Sequence, residues 1–250
     1  MQGKQIYFLS DAHLGARVPD NNREREQKLV KFLETIRPGC AALYLLGDMF
    51  DFWFEYKRVV PKGHVRFLGE LARFTDAGIP VHLFTGNHDT WAFDYLTREC
   101  GVTLHAGNEW LSLHGKQFLI GHGDGLNPLD KKYLFLKRLF RNRCLQRLFR
   151  SLHPDTGIKW ANAWSSHSRL RDGGRVEAGA YRGDDKEGIV LYCKKILLER
   201  HVDYFIFGHR HLPVDIRLSP ASRYINTGDW ITHFSYATFD GAAVQLHHAP

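Results

Sequence analysis

The chain alternates between short, mainly apolar runs and longer stretches whose apolar residues fall three or four apart. "QIYFLS" (5–10), "ALYLLG" (42–47) and "IPVHLFTG" (79–86) are apolar enough to be strands covered on both faces. Between them, "REREQKLVKFLETI" (23–36) and "HVRFLGELARFTDAG" (64–78) carry the spacing of amphipathic helices, which predicts β-α-β-α-β. A further strand is expected from "KQFLIGHG" (116–123), a helix near 186–200 and a strand at "YFIF" (204–207). The short, turn-separated "VDIRL", "RYIN", "HFSYATFD" and "AVQLHH" predict an antiparallel meander closing the sheet. The Gly-rich "RDGGRVEAGAYRGDD" (171–185) predicts a mobile loop, and no internal repeat or low-complexity tract interrupts the pattern.

Every apolar run ends in residues suited to metal binding. The first ends at Asp11 and His13, the second at Asp48 and Asp51 of "GDMFD", the third at Asn87, His88 and Asp89 of "GNHD". "GHGD" brings His122 and Asp124, and "GHRH" brings His209 and His211. Singly, such residues are more often turn formers or helix caps. Five clusters in order, each after a strand, are expected to converge on one rim, because ligands gather at the carboxyl ends of strands in sheets of this kind. The glycines before Asp48, Asn87, His122 and His209 let backbone pass close to a crowded polar centre. Asp, Asn and His without Cys suit divalent manganese, iron or zinc, and seven candidate ligands are too many for one tetrahedral ion. Two ions about 3.5–4 Å apart, sharing a bridging carboxylate, would use them all, with His209 and His211 each reaching one.

Composition narrows the class. A chain of 250 residues, 44% hydrophobic, buries a sizeable core without splitting, so one globular unit spanning 1–250 is expected. No secretory signal is visible at the start, and no run approaches the ~18 apolar residues of a membrane span. Cys40, Cys100, Cys144 and Cys193 form no CxxC pair, which fits a reducing cytosol and packing roles. A net charge of +7 points to an anionic partner: nucleic acid, phospholipid headgroups or a phosphorylated small molecule. Much of it sits between Lys131 and Arg150, which holds eight Lys or Arg and no Asp or Glu. There Tyr133, Leu136, Phe140, Cys144 and Leu148 lie on one helical stripe, widened by Leu139, Leu145, Phe149 and Leu152. Such an element could be a solvated face over a packed one, an interfacial helix meeting anionic lipid and an acyl chain, or a surface laid along a phosphate backbone.

The ordered set D-x-H, G-D-x-x-D, G-N-H-D, G-H and G-H-x-H over residues 11–211 resembles the calcineurin-like metallophosphoesterases. That resemblance implies an α/β sandwich of two mixed β-sheets flanked by helices, with a helical lid insertion at about 127–180. It implies that Asp11, His13, Asp48 and His211 hold one metal and Asp48, Asn87, His122 and His209 the other, with Asp48 as bridge. His88 would sit beside the leaving group as a catalytic residue, its ring oriented by Asp51 or Asp89. Within the superfamily, "GDMFDFWF" and "HGDGLNPLDKKYLF" are most similar to the UDP-2,3-diacylglucosamine hydrolases of lipid A synthesis. The implied substrate is a UDP-linked acylated sugar, contacted by Asn87, Asp130, Tyr133 and Arg169. The implied setting is cytoplasmic, peripheral to the inner membrane, with manganese as the first metal and a monomer as the working unit. One departure stands out: the best-known branch of that family carries Arg where this chain has His88. A phosphodiesterase or phosphatase acting on a soluble nucleotide or nucleic acid is the alternative, and a non-catalytic scaffold, which would lack ligands, is disfavoured by the full set.

Overall fold

Alternation along β1 (Gln5–Leu9) sends Ile6 and Phe8 to one face and Tyr7 and Leu9 to the other, and apolar neighbours cover both. The computed structural model describes residues 3–16, 21–127, 130–171, 181, 183 and 186–250, without the side chains of residues 162 and 164–171. After β1 the chain runs through α1 (Asn22–Ile36), β2 (Cys40–Leu45), α2 (Val65–Asp76), β3 (Val81–Phe84), α3 (Tyr95–Cys100), β4 (Thr103–His105), β5 (Glu109–Leu113) and β6 (Lys116–Gly121). Three helices follow, α4 (Lys131–Phe140), α5 (Arg143–Arg150) and α6 (Pro154–Arg171), then α7 (Gly188–Glu199). The last strands are β7 (Tyr204–Phe207), β8 (Pro213–Ser219), β9 (Ser222–Thr227), β10 (Ser235–Phe239) and β11 (Val244–His248).

Hydrogen bonding sorts the strands into two mixed sheets, ordered β11-β10-β1-β2-β3-β4 and β5-β6-β7-β9-β8. Phe8, Tyr44 and Phe84 of the first meet Phe118, Ile206 and Ile225 of the second in the apolar layer between them. α1 and α2 cover the first sheet through Leu29, Phe32, Phe67 and Leu71, and α7 covers the second through Ile189, Val190 and Cys193. The fold is thus an α/β sandwich of two mixed sheets with helices outside. Because their strands are buried on both faces, β1, β2, β6 and β7 read as continuous apolar runs. β1, β2 and β3 are mutually parallel, as are β6, β7 and β9, so each sheet has a run of carboxyl ends on one edge.

Two expectations change. The last four strands are two hairpins in different sheets: β8–β9 joins the second sheet, with β9 parallel to β7, while β10–β11 adds to β1. Local alternation identifies a hairpin but not the sheet edge it fills. The basic segment is likewise two helices, broken where the Asn142 side chain caps α5 by accepting from the Cys144 and Leu145 N–H groups (2.9 and 3.2 Å). The break turns the predicted stripe. Cys144 and Leu148 face solvent, whereas Phe149 packs on Phe54 and Trp91, 4.9 Å from each. Trp91 Nε1–H donates to the Phe140 carbonyl (2.8 Å) and Arg150 to the Glu55 carbonyl (3.1 Å), closing a seam between these helices and the loops after β2 and β3. Cys40, Cys100 and Cys193 are buried packing residues, but Cys144 is exposed. Of the Gly-rich loop expected at 171–185, residues 172–180, 182, 184 and 185 lie outside the described residues.

Candidate metal centre

The carboxyl ends of β1, β2, β3, β6 and β7 deliver the five polar clusters to one place. His211 Nε2 lies 3.2 Å from both Asp11 Oδ1 and His13 Nε2. His122 Nε2 lies 3.2 Å from Asp48 Oδ2, and His13 Nε2 lies 3.7 Å from that same oxygen. Asp11, His13 and His211 form one group and Asp48, His122 and His209 a second, each with candidate ligand atoms within 4.8 Å of one another. A third group, His13, Asp51 and His88, adjoins the first. Asp48 therefore faces both sets.

The donors fit a divalent metal pair. Asp11 Oδ1, Asn87 Oδ1 and His122 Nε2 are buried without a hydrogen-bond partner, a costly arrangement unless something else satisfies them. Two rings are aimed by their other nitrogen: His122 Nδ1–H donates to the Leu46 carbonyl and His88 Nδ1–H to the Asp51 carbonyl, both at 2.8 Å. A carbonyl accepts only, so both rings carry a proton on Nδ1 and turn Nε2 away from that bond, as an acceptor in the neutral ring and a donor in the protonated one.

Backbone strain concentrates here. Among the described residues eight non-glycine residues have positive φ, and five are candidate ligands: Asp11 (55°), His13 (42°), Asp48 (52°), His209 (70°) and His211 (53°). Each such residue costs roughly 1–2 kcal/mol and persists only where surroundings impose it. The restraint is visible: Asp11 N–H donates to Gly47 O, His13 N–H to Asp48 O, and His209 N–H to Asp11 Oδ2 (3.0, 2.9 and 2.8 Å). Closeness also demands glycine. A Cβ on Gly86 would collide with the Asp48 carboxylate, and one on Gly208 with Asp11 and Ser10.

Charges in the cluster hold one another. Burial alone would raise Asp11 and Asp48, yet His211 and His13 hold Asp11 well below the usual carboxylate range, and His122 and His88 do the same for Asp48. Burial opposes protonation of His13, but Asp11, Asp51 and Asp48 push it up to about 10. His209, buried and beside His122, is pulled down to about 4, and burial lowers His88. Asp89, buried near Asp48, rises to about 7.

The remaining predicted residues fall around this centre. Asp89 Oδ1 accepts from Gly86 N–H (2.7 Å) and Oδ2 from Met49 N–H (2.9 Å), pinning the β2 and β3 loops together. Asp51, not Asp89, meets the His88 ring, and its Oδ1 lies 3.4 Å from His13 Nδ1. Tyr133 O–H donates to Asp124 Oδ2 (2.9 Å), which also pairs with Lys137 (2.7 Å). Asp130 caps α4 by accepting from Tyr133 N–H (3.0 Å). With Asn127, Lys186, His209 and Arg210, Asp130 and Tyr133 line a cavity of about 230 Å³ beside the centre. The side chain of Arg169 lies outside those described. Sequence reasoning passed over a buried carboxylate that faces a candidate ligand: Asp229, which follows β9 and lies 3.8 Å from His211. "NTGDW" after β9 repeats the strand–Gly–Asp pattern of "LLGDM" after β2, and that repetition was the available signal.

Residues 4–213 match the calcineurin-like phosphoesterase family. The chain is 41% identical to the UDP-2,3-diacylglucosamine hydrolase of Porphyromonas gingivalis over 253 residues, covering 97% of this chain and 96% of that one. It is 31% identical to the protein of the same name from Ectopseudomonas mendocina, covering 90% of each. A third, from Neisseria gonorrhoeae, is 30% identical over 93% of this chain and 91% of its own. With the family's ordered residues gathered in one buried cluster and its match spanning most of the sequence, the chain belongs to the calcineurin-like phosphoesterases.

Proposed function

We propose that this metal-dependent hydrolase cleaves the pyrophosphate bond of UDP-2,3-diacylglucosamine, giving UMP and 2,3-diacylglucosamine 1-phosphate, the reaction that the names of its relatives describe. The observation that supports this best is the pair of His/Asp groups that share Asp48. Asp11, His13, Asp48 and His211 would hold one divalent ion and Asp48, Asn87, His122 and His209 the other, manganese being the first candidate. When bound, such a pair neutralises phosphate oxygens and makes hydroxide available from water near neutral pH. The water oxygen adds to the phosphorus next to uridine, the bond to the bridging oxygen breaks, and the sugar 1-phosphate leaves with that electron pair. Asp51 holds the His88 ring through Nδ1, so that Nε2 can hydrogen-bond the departing oxygen in its protonated form. Tyr133 and Asp130, on the wall of the adjoining cavity, would place the sugar.

The helices α4 and α5 suit the acylated end of this substrate. Phe135, Leu139, Leu145 and Leu148 are exposed among eight basic residues, and Trp160 of α6 is exposed as well. That combination favours peripheral attachment to the anionic cytoplasmic face of the inner membrane. No helix among the described residues is long and apolar enough to cross a membrane.

A turnover screen with manganese tests the substrate, comparing UDP-2,3-diacylglucosamine with a generic phosphodiester and single-stranded DNA. Preference for the lipid by orders of magnitude is expected, and equal or better turnover of the other two would end this reading. Phe149→Ala tests the helical insertion by trimming its contact with Phe54 and Trp91 while leaving its helices in place. Phe149 is half-buried, so the variant should lose about 1–2 kcal/mol, less than the 3–5 typical of a core Phe. Hydrolysis of a small chromogenic diester should persist while kcat/KM on the acylated substrate falls, because α5, which presents the exposed Leu145 and Leu148, loses its anchor on Phe54 and Trp91. Equal losses on both substrates would instead make the insertion part of the catalytic scaffold.

A further inference from the structure

Asp229 does more than shape a turn. It is 2% exposed, and its Oδ1 accepts from the backbone N–H groups of Ile231, Thr232 and His233 (3.0, 2.7 and 2.9 Å). That oxygen is saturated by the turn. Oδ2 lies 3.3 Å from His233 Nδ1, within hydrogen-bond reach inside the same turn, and 3.8 Å from His211 Nδ1, within ion-pair range. His211 is therefore held between two carboxylates, with Nε2 3.2 Å from Asp11 Oδ1 and Nδ1 toward Asp229. The turn is itself tied to the centre, since Trp230 N–H donates to the Asp11 carbonyl (3.1 Å).

We propose that Asp229 is the positioning residue for His211: its Oδ2 selects the tautomer with the proton on Nδ1 and leaves the Nε2 lone pair for the metal of the Asp11–His13 group. His122 is oriented in the same sense by a backbone carbonyl. For His211 the acceptor is a full negative charge, which also raises the basicity of Nε2 as a ligand. His233, on the same loop and 24% exposed, competes for the same oxygen.

The inference rests on the dimetal reading, and the test separates the two. Wild type, Asp229→Asn and His233→Gln are stripped of metal, then titrated with Mn²⁺ by calorimetry and by activation of hydrolysis. Asp229→Asn keeps an amide oxygen to accept from the turn, but its NH₂ cannot accept from His211. One of the two Mn²⁺ sites should weaken 10- to 100-fold, as losses of such outer partners do, with the activation curve shifted by the same factor and KM unchanged. His233→Gln, which removes the competitor, should bind no more weakly than wild type. In the Zn²⁺-loaded protein, a slowly exchanging His211 Nδ1–H signal should be present in wild type and absent in Asp229→Asn. A wild-type protein that binds no divalent metal defeats the dimetal reading itself. If wild type binds two ions and Asp229→Asn binds both as tightly, or if His233→Gln loses as much as Asp229→Asn, the role assigned to Asp229 is wrong. Asp229→Asn weakened at both sites together with a lowered melting temperature would show a turn cap and nothing more.

Discussion

Asp48→Ala is expected to strip both metals from the protein and to lower turnover by roughly 10³-fold or more, since Lewis-acid stabilisation is worth several kcal/mol and each 1.36 kcal/mol is tenfold. Asp48 is the one carboxylate near both His13 (3.7 Å) and His122 (3.2 Å) among the described ion pairs, so no neighbour can take over its place. Its Oδ1 also accepts from His88 N–H at 2.8 Å, and its φ of 52° is unfavourable for alanine. Loss of fold could therefore imitate loss of metal. Asp48→Asn removes that ambiguity, because asparagine tolerates a left-handed backbone and retains the acceptor for His88 N–H. It should fold with an unchanged melting profile in chelator yet hold less than one metal per chain after dialysis against Mn²⁺. His211→Ala should lose mainly one metal, since His211 contacts only the Asp11–His13 group. Two tightly held metals in Asp48→Asn would remove the bridge from the scheme.

The candidate ligands could be read because each follows a fully apolar strand, and strands buried on both faces have few other reasons to end in His or Asp. The same physics explains α1, α2 and α7, whose apolar faces pack on sheets and so keep a helical period. β4 has only three residues, and β5 alternates between half-buried and exposed positions without a strong apolar face. Neither offered much signal. The two terminal hairpins were visible as strands, but sheet membership depends on contacts such as Phe239 with Phe118 that no local pattern contains. Asn142 broke the basic stripe in two through a cap that competes with helix continuation. Asp229 was missed for a related reason: taken as one turn in a meander, "TGDW" had no claim on the metal rim until β9 was seen to lie parallel to β7.

His88, proposed to stand beside the leaving group, carries the other large effect. The leaving group in the proposed reaction is a phosphate monoester, already stable as an anion, so it needs charge compensation more than a proton. An alkoxide leaving group needs the proton. His88→Ala should keep both metals, since His88 belongs to neither of the two groups that Asp48 faces, and should slow hydrolysis of the pyrophosphate roughly 10²- to 10³-fold, as the loss of one well-placed donor does. His88→Arg then divides the two roles. Its guanidinium carries a fixed charge and five donors but cannot give up a proton near neutral pH, so it should restore most of the pyrophosphatase activity and little of the activity on an alkyl phosphodiester. With an alkyl diester the alanine variant should fall further, toward the ~10⁴-fold end of general-acid effects. Rate constants for the three proteins on the two substrates, at saturating Mn²⁺ with metal content measured alongside, decide the matter. If Arg fails on both substrates while metals stay bound, proton transfer from His88 is needed even for an anhydride. If Ala loses its metals, His88 belongs to the metal shell through His13, whose ring lies 4.7 Å away, and the leaving-group role falls.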